Sequence, residues 1–256
     1  MESTDAAEGA GVKTVRTAFE ILEALKSLDG ATTTEVAAHL DLPKSSAYNH
    51  LQTLEREGYV VKNDQTYELG LRLLDLGAFA RQKQTLFDVA QPEMETVAEE
   101  TGELVNLLVE EGGRGIFLLR ERGDNAVNVD SYTGQSVHLH TTALGKTILA
   151  HLSEERRASI IERHGLPQMT EKTITDRDRL EAELEEIRTE EVAYDMEERV
   201  RGLRCVAVPI FNDETITGAV SVSGPNSRMS EDRIRDEILP QLKHAANIIE
   251  LNQTYS

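Results

Sequence analysis

The sequence predicts an α+β chain with a winged helix-turn-helix at its N-terminus and a larger α/β sheet domain behind it. Three observations carry that prediction. Apolar residues recur at helical spacing through three stretches between Val15 and Glu57. Two short strand-like stretches joined by a turn follow directly, at 59–62 and 66–69. Beyond Gly102 the pattern changes to strands broken by glycine-containing turns and separated by helices.

Taken in order, residues 1–12 are acidic and small, and read as a disordered tail. Ala18, Phe19, Leu22, Leu25 and Leu28 then fall at spacings of three and four, giving an amphipathic helix that Asp29-Gly30 ends. Thr33 or Thr34 is placed to cap the next helix, whose stripe is Val36, Ala37 and Leu40. Asp41-Leu42-Pro43 breaks the chain. Pro43 suits the first position of a third helix, which runs to about Glu57 and stops at Gly58. The strand pair 59–62 and 66–69 then forms the wing. Leu71, Leu73, Leu74 and Leu76 open a helical linker, and a further helix ends near Gly102, started or kinked by Pro92.

In the second half, strands are expected at 104–110, 115–120 and 126–132, and again at 205–211 and 216–223. Helices are expected at about 142–152, 154–164 and 176–190, with a last one capped by Ser230. Strands flanked by helices with long central crossovers imply a sensor-type sheet. The domain plan is therefore 1–12 tail, 13–70 winged helix-turn-helix, 71–84 linker and 85–256 sensor-type sheet domain.

Composition narrows the class. A hydrophobic content of 39% over 256 residues supports real cores. The single cysteine, Cys205, excludes an intramolecular disulfide and fits a reducing compartment. No secretion signal or run of roughly 20 apolar residues is present, so a cytoplasmic protein without membrane contact is expected. The net charge of −19 looks wrong for a chain that meets phosphate. Its distribution answers the objection: residues 1–85 carry nine Lys/Arg against thirteen Asp/Glu, and within 42–54 the only formal charge is Lys44. A total of 46 acidic residues against 27 basic ones, with 4% aromatics, also fits the high-salt adaptation of a halophile.

On a helical wheel of residues 44–55, Ala47, Leu51 and Leu54 share one face, with His50 beside them. The opposite face holds Ser45, Asn49 and Gln52, flanked by Ser46, Tyr48 and Thr53. Asn and Gln pair bidentately with adenine, and Ser and Lys44 near the helix start suit phosphate. Any surface helix is polar outside, but others in this chain are full of glutamate, and this one has none until Glu55. The expected DNA contacts are Lys44, Ser45, Ser46, Tyr48, Asn49 and Gln52.

The stretch Val15–Gly70, with "EVAAHLDLPKSSAYNHLQTLEREGYV" and "YELG", resembles the DNA-binding half of IclR-type transcription regulators. "VHLHTTALGKTILA" (137–150) and "GLRCVAVPIFNDETITGAVSVSGP" (202–225) resemble that family's effector domain. The resemblance implies a GAF-like fold that binds a small organic effector, a carboxylate or an aromatic or sugar-derived metabolite. It also implies homodimers or homotetramers on palindromic operators in double-stranded DNA, with repression and activation both open. By position it nominates Ala143, Leu144, Asp195, Leu203, Cys205, Ser221 and Ser223 as effector contacts. The physics agrees: a helix beginning at Ala143 offers free N–H groups, and Ser221 and Ser223 alternate on one side of a strand. Leu144 is a departure, since smaller residues in some relatives leave room there.

Other chemistries are weaker. Cys205 in "CVAVPI" reads as a buried strand thiol with no evident base, so no catalytic residue and no cofactor are expected. His138 and His140 alternate as if on one strand face, but no third ligand has an evident spacing, and no metal is expected. The rival classes are a metabolic enzyme or a protein-interaction module carrying an accessory winged helix.

Overall fold

The computed structural model describes residues 11–129 and 131–254. The expected tail lies outside those residues except for Gly11 and Val12. The chain divides into two compact units, with the division between Ala80 and Arg81.

In the first unit, α1 (Lys13–Ser27) buries Ile21, Ala24 and Leu25. α2 (Thr33–His39) is capped one residue earlier than the sequence suggests. The side chain of Thr32 accepts from Glu35 N at 3.3 Å while Thr32 N donates to Glu35 Oε2 at 2.7 Å. The reciprocal glutamate three residues on decides the cap, which is worth about 1 kcal/mol. α3 (Lys44–Arg56) starts after Pro43 rather than on it, because Pro43 is extended at ψ 134°. Gly58, at φ +78°, takes the left-handed conformation that turns the chain out of α3. β2 (Val60–Asn63) and β3 (Thr66–Leu69) make the wing around Asp64. A strand the sequence did not announce, β1 (Ala31–Thr32), pairs with β3 and completes a sheet of order β1-β3-β2. Ile21, Leu25, Val36, Ala47, Leu51, Val60 and Tyr67 close one core. α4 (Arg72–Gln82) follows the wing and buries none of its residues.

The second unit begins with α5 (Thr85–Thr101), which starts well before Pro92 and carries it inside. Then come β4 (Leu104–Glu111), β5 (Arg114–Arg122), β6 (Ser136–Val137), a 3₁₀ turn at Leu139–Thr141, α6 (Ala143–His151), α7 (Glu154–His164) and α8 (Arg177–Glu190). β7 (Ala193–Met196), β8 (Leu203–Asn212), β9 (Thr215–Pro225), α9 (Glu231–Arg233), a π turn and α10 (Leu239–Thr254) complete it. The stretch 126–132 is not a strand among its described residues. Its alternation is real, but the edge of the sheet beyond β5 is taken by β6.

The sheet is antiparallel throughout, in the order β6-β5-β4-β9-β8-β7. Alternate residues send Val105, Leu107, Val206, Val208, Val220 and Val222 to one face, where α5 and α10 cover them. Leu108, Ala207 and Ala219 go to the other face, under α6 and α8. At one end Glu103, 0% exposed, receives Arg228 at 2.7 Å to both carboxylate oxygens and Arg233 at 2.9 Å. This pins the start of β4.

Candidate functional site

The cavity of interest is built by strand register. Pairing places Leu104, Ser223, Cys205 and Asp195 in one cross-strand row, and Asn106, Ser221 and Ala207 in the next. Both rows lie on the face that α6 covers. Where its apolar core ends, these residues other than Ala207 line a cavity of about 270 Å³ with Phe117, Thr142, Ala143, Leu144, Arg199 and Leu203. All seven residues nominated in this domain thus border the same space.

The wall at Ala143 and Leu144 is the first turn of α6. Thr142 caps it, its hydroxyl accepting from Gly145 N at 2.9 Å. Helix geometry leaves the N–H groups of Ala143 and Leu144 without an intrahelical acceptor. Gly145 lets the 3₁₀ turn pack tightly here, because a Cβ would overlap the carbonyl of Leu139. On the floor, Asn106 Nδ2 donates to Ser223 Oγ at 3.2 Å and Asn106 Oδ1 accepts from Arg120 Nε at 3.0 Å. Ser221 is 1% exposed and its hydroxyl has no partner in the protein. An orphaned buried hydroxyl on a cavity wall marks a place for a polar ligand atom or water.

Asp195 is 2% exposed and accepts from Glu198 N at 2.7 Å. Burial first, then the neighbouring Glu198 carboxylate, push its pKa up to about 7. Burial likewise pushes the Cys205 thiol up, which makes it a poor nucleophile. The sign for Asp195 is definite. Between about pH 4 and 7 the folded state keeps a proton that the unfolded chain has released, so stability falls as pH rises through that window and then levels. Asp195→Asn is expected to remove up to one proton of slope, about 1.4 kcal/mol per pH unit at most. Urea unfolding of both proteins from pH 5 to 8 measures this. Parallel curves would refute the assignment.

Sequence reasoning missed Asn106, Phe117 and Arg199, and it missed Lys146, which is 0% exposed. Lys146 Nζ donates to Glu198 Oε1 at 2.6 Å and to Glu183. Only the sheet order and the packing of α6 on α8 reveal these roles. His138 and His140 do not share a strand face: the strand ends at Val137, and His138 precedes the 3₁₀ turn that contains His140. His140 Nε2 lies 3.1 Å from Pro167 O, and burial with nearby Arg114 lowers His138 to about 4. Among the described residues no group of three or more His, Cys, Asp or Glu is placed to hold a metal.

In the first unit, Lys44, Ser45, Tyr48 and Asn49 are exposed on α3, and Ser46 is half-buried. Gln52 is also half-buried, and its amide donates to Glu55 Oε2 at 3.0 Å and to Tyr67 Oη at 3.3 Å. It braces the helix to the wing in this structure. Arg72 grips the other end, donating to Glu57 O and lying 4.8 Å from the centroid of the Tyr59 ring.

Residues 14–64 match the family described as the IclR helix-turn-helix domain, and residues 78–251 the C-terminal domain of the bacterial transcriptional regulator IclR. The chain is 31% identical over 255 residues to the probable HTH-type transcriptional regulator ArcR of Halobacterium salinarum, covering 98% of this chain and 97% of that one. It is 31% identical over 227 residues to the HTH-type transcriptional repressor AllR of Escherichia coli, covering 87% and 84%. The crystal structure of the Thermotoga maritima IclR superposes with a TM-score of 0.74 at 32% identity, covering 94% of this chain and 99% of that one. These relatives are regulators of transcription and not enzymes, which removes the rival reading of a metabolic enzyme. With both domain matches in order along one chain, this protein belongs to the IclR family of DNA-binding transcriptional regulators.

Proposed function

We propose that the cavity is an effector site and that its occupancy controls the binding of α3 to a palindromic operator. The observation that carries this reading is the convergence of Ala143, Leu144, Asp195, Leu203, Cys205, Ser221 and Ser223, from four separate segments, on one cavity. In this reading the effector is a small organic acid or sugar-derived metabolite. Its carboxylate faces the N-terminus of α6, where N–H groups and the helix dipole favour negative charge. The face of α3 that meets DNA comprises Lys44, Ser45, Ser46, Tyr48 and Asn49, with Gln52 at its edge. The protein acts in the cytoplasm on genes of a catabolic pathway, as repressor or activator according to where the operator lies. Among the described residues no helix is long and apolar enough to cross a membrane.

The working unit is a homodimer, or a tetramer built from it. Supporting this, Leu71, Leu74, Leu76 and Phe79 on or beside α4, and Val15 and Phe19 on α1, are all more than half exposed. Apolar side chains at this density mark an interface. The acid excess suits work in concentrated salt. Mapping of bound chromosomal sites, followed by titration of metabolites against protein on its own operator fragment, tests the reading. Discrete palindromic sites released or tightened by one metabolite support it. No enriched sites in any medium would overturn it.

A further inference from the structure

Arg199 follows β7, yet its guanidinium carbon lies 5.9 Å from the centroid of the Phe117 ring on β5. In the sheet order these two strands are four spacings apart, on the order of 19 Å if the sheet were flat. The segment after β7 therefore turns back over the cavity and carries this side chain to the wall that Phe117 forms. Arg120 approaches the same ring at 6.0 Å, so two guanidinium groups flank Phe117. The ion pairs of this domain go to Lys146, Arg156, Arg157 and Arg228, among others. Among the described residues neither Arg120 nor Arg199 has a carboxylate partner, although the chain holds 46 acidic residues. Arg120 Nη2 is buried without any partner. Burial lowers both guanidinium pKa values, and Arg122 and Arg199 lower that of Arg120 further. The carboxyl acting on Arg199 is Asp195, which burial holds towards its neutral form. Two partly desolvated cations without an ion-pair partner among the described residues are costly to keep unless an anion completes the site.

We propose that Arg199 and Arg120 form a second anion subsite, so that the effector is a small dicarboxylate: one acidic group at the α6 N-terminus, near Ser221, and the other at the guanidinium pair. Phe117 and Leu203 offer apolar contact to the carbon chain between the two groups. This rests on the reading of the cavity as the effector site. A planar guanidinium matches a carboxylate bidentately, which a lone N–H cradle does not.

Calorimetric titration of the full-length protein tests it with matched probes of equal carbon number: succinate against butyrate, and adipate against hexanoate, at fixed salt. At least one diacid is expected to bind ten-fold or more tightly than its monoacid, the scale of one charge-assisted contact. Arg199→Gln should reduce that ratio below about three-fold, and Arg199→Lys should keep part of it. The melting temperature of unliganded Arg199→Gln should be equal to or above that of the wild type, because a desolvated charge is removed, which separates loss of binding from loss of fold. Equal binding of diacids and monoacids, or discrimination that survives in Arg199→Gln, would overturn the subsite while leaving the effector cavity in place. If no acid binds the wild type at millimolar concentration, the subsite falls, and the acid-effector reading of the cavity falls with it.

Discussion

Replacing Lys146 with alanine is expected to destabilise the C-terminal domain by about 3–5 kcal/mol, the usual consequence of breaking a buried ion pair by removing one partner. Lys146 is 0% exposed, and its ammonium sits between Glu198, 7% exposed at the side chain, and Glu183. Without it Glu198 is left buried beside Asp195, and its Oε2 already lacks a partner. Burial raises the Glu198 pKa even with Lys146 present. Removing the cation raises it further, so the folded variant takes up a proton that the unfolded chain lacks. The deficit relative to wild type should therefore shrink as pH falls from 8 towards 5. Pairing Lys146→Met with Glu198→Gln should recover part of the loss, because neither buried charge then remains unpaired. Urea unfolding monitored at two pH values reads both variants against the wild type. A loss below about 1 kcal/mol in Lys146→Ala would mean that water reaches the cluster and the buried pair is not as described. Thr170 and Thr173 hydroxyls also hold Glu198 O, at 3.0 and 2.5 Å. The cluster thus anchors the segment that presents Arg199 to the cavity.

For DNA, Asn49→Ala is expected to weaken operator binding by about 1–3 kcal/mol, roughly 5- to 150-fold, the worth of one bidentate amide-to-adenine contact. Asn49 is the better target than Gln52, because the Gln52 amide already serves Glu55 and Tyr67 and its removal would loosen the wing as well. Lys44→Ala should behave differently, weakening all sequences alike and reducing the slope of log affinity against log salt by about 1. Fluorescence anisotropy on the mapped operator and on a scrambled duplex, at several salt concentrations, distinguishes the two. If Asn49→Ala binds both duplexes as wild type does, α3 does not read bases through that side chain.

Local pattern was enough for most elements. The stripe Val36–Ala37–Leu40, the opposed faces of α3, the wing around Asp64 and the Ser230 cap could each be read within a dozen residues, because periodicity and capping are short-range properties. The same reasoning erred where a local pattern had a tertiary competitor. The described residues of 126–132 pair with no strand of the sheet, and β1 and β6, at two residues each, are too short to show a period of two. Pro92 does not mark a helix start, because α5 begins at Thr85 and carries it inside.

The sequence by itself determined a winged helix with an acid-free recognition face, a sheet domain behind it, and a set of nominated effector contacts. Only the tertiary structure decided what stands beside what. Asn106 meets Ser223 across 117 residues of chain, Lys146 meets Glu198 across 52, and Arg199 after β7 meets Phe117 on β5, with three strands between β7 and β5 in the sheet order. The reason is physical. The face a strand buries follows from its own alternation, but its neighbour is chosen by the burial of the whole sheet between α5 and α10 on one side and α6 and α8 on the other.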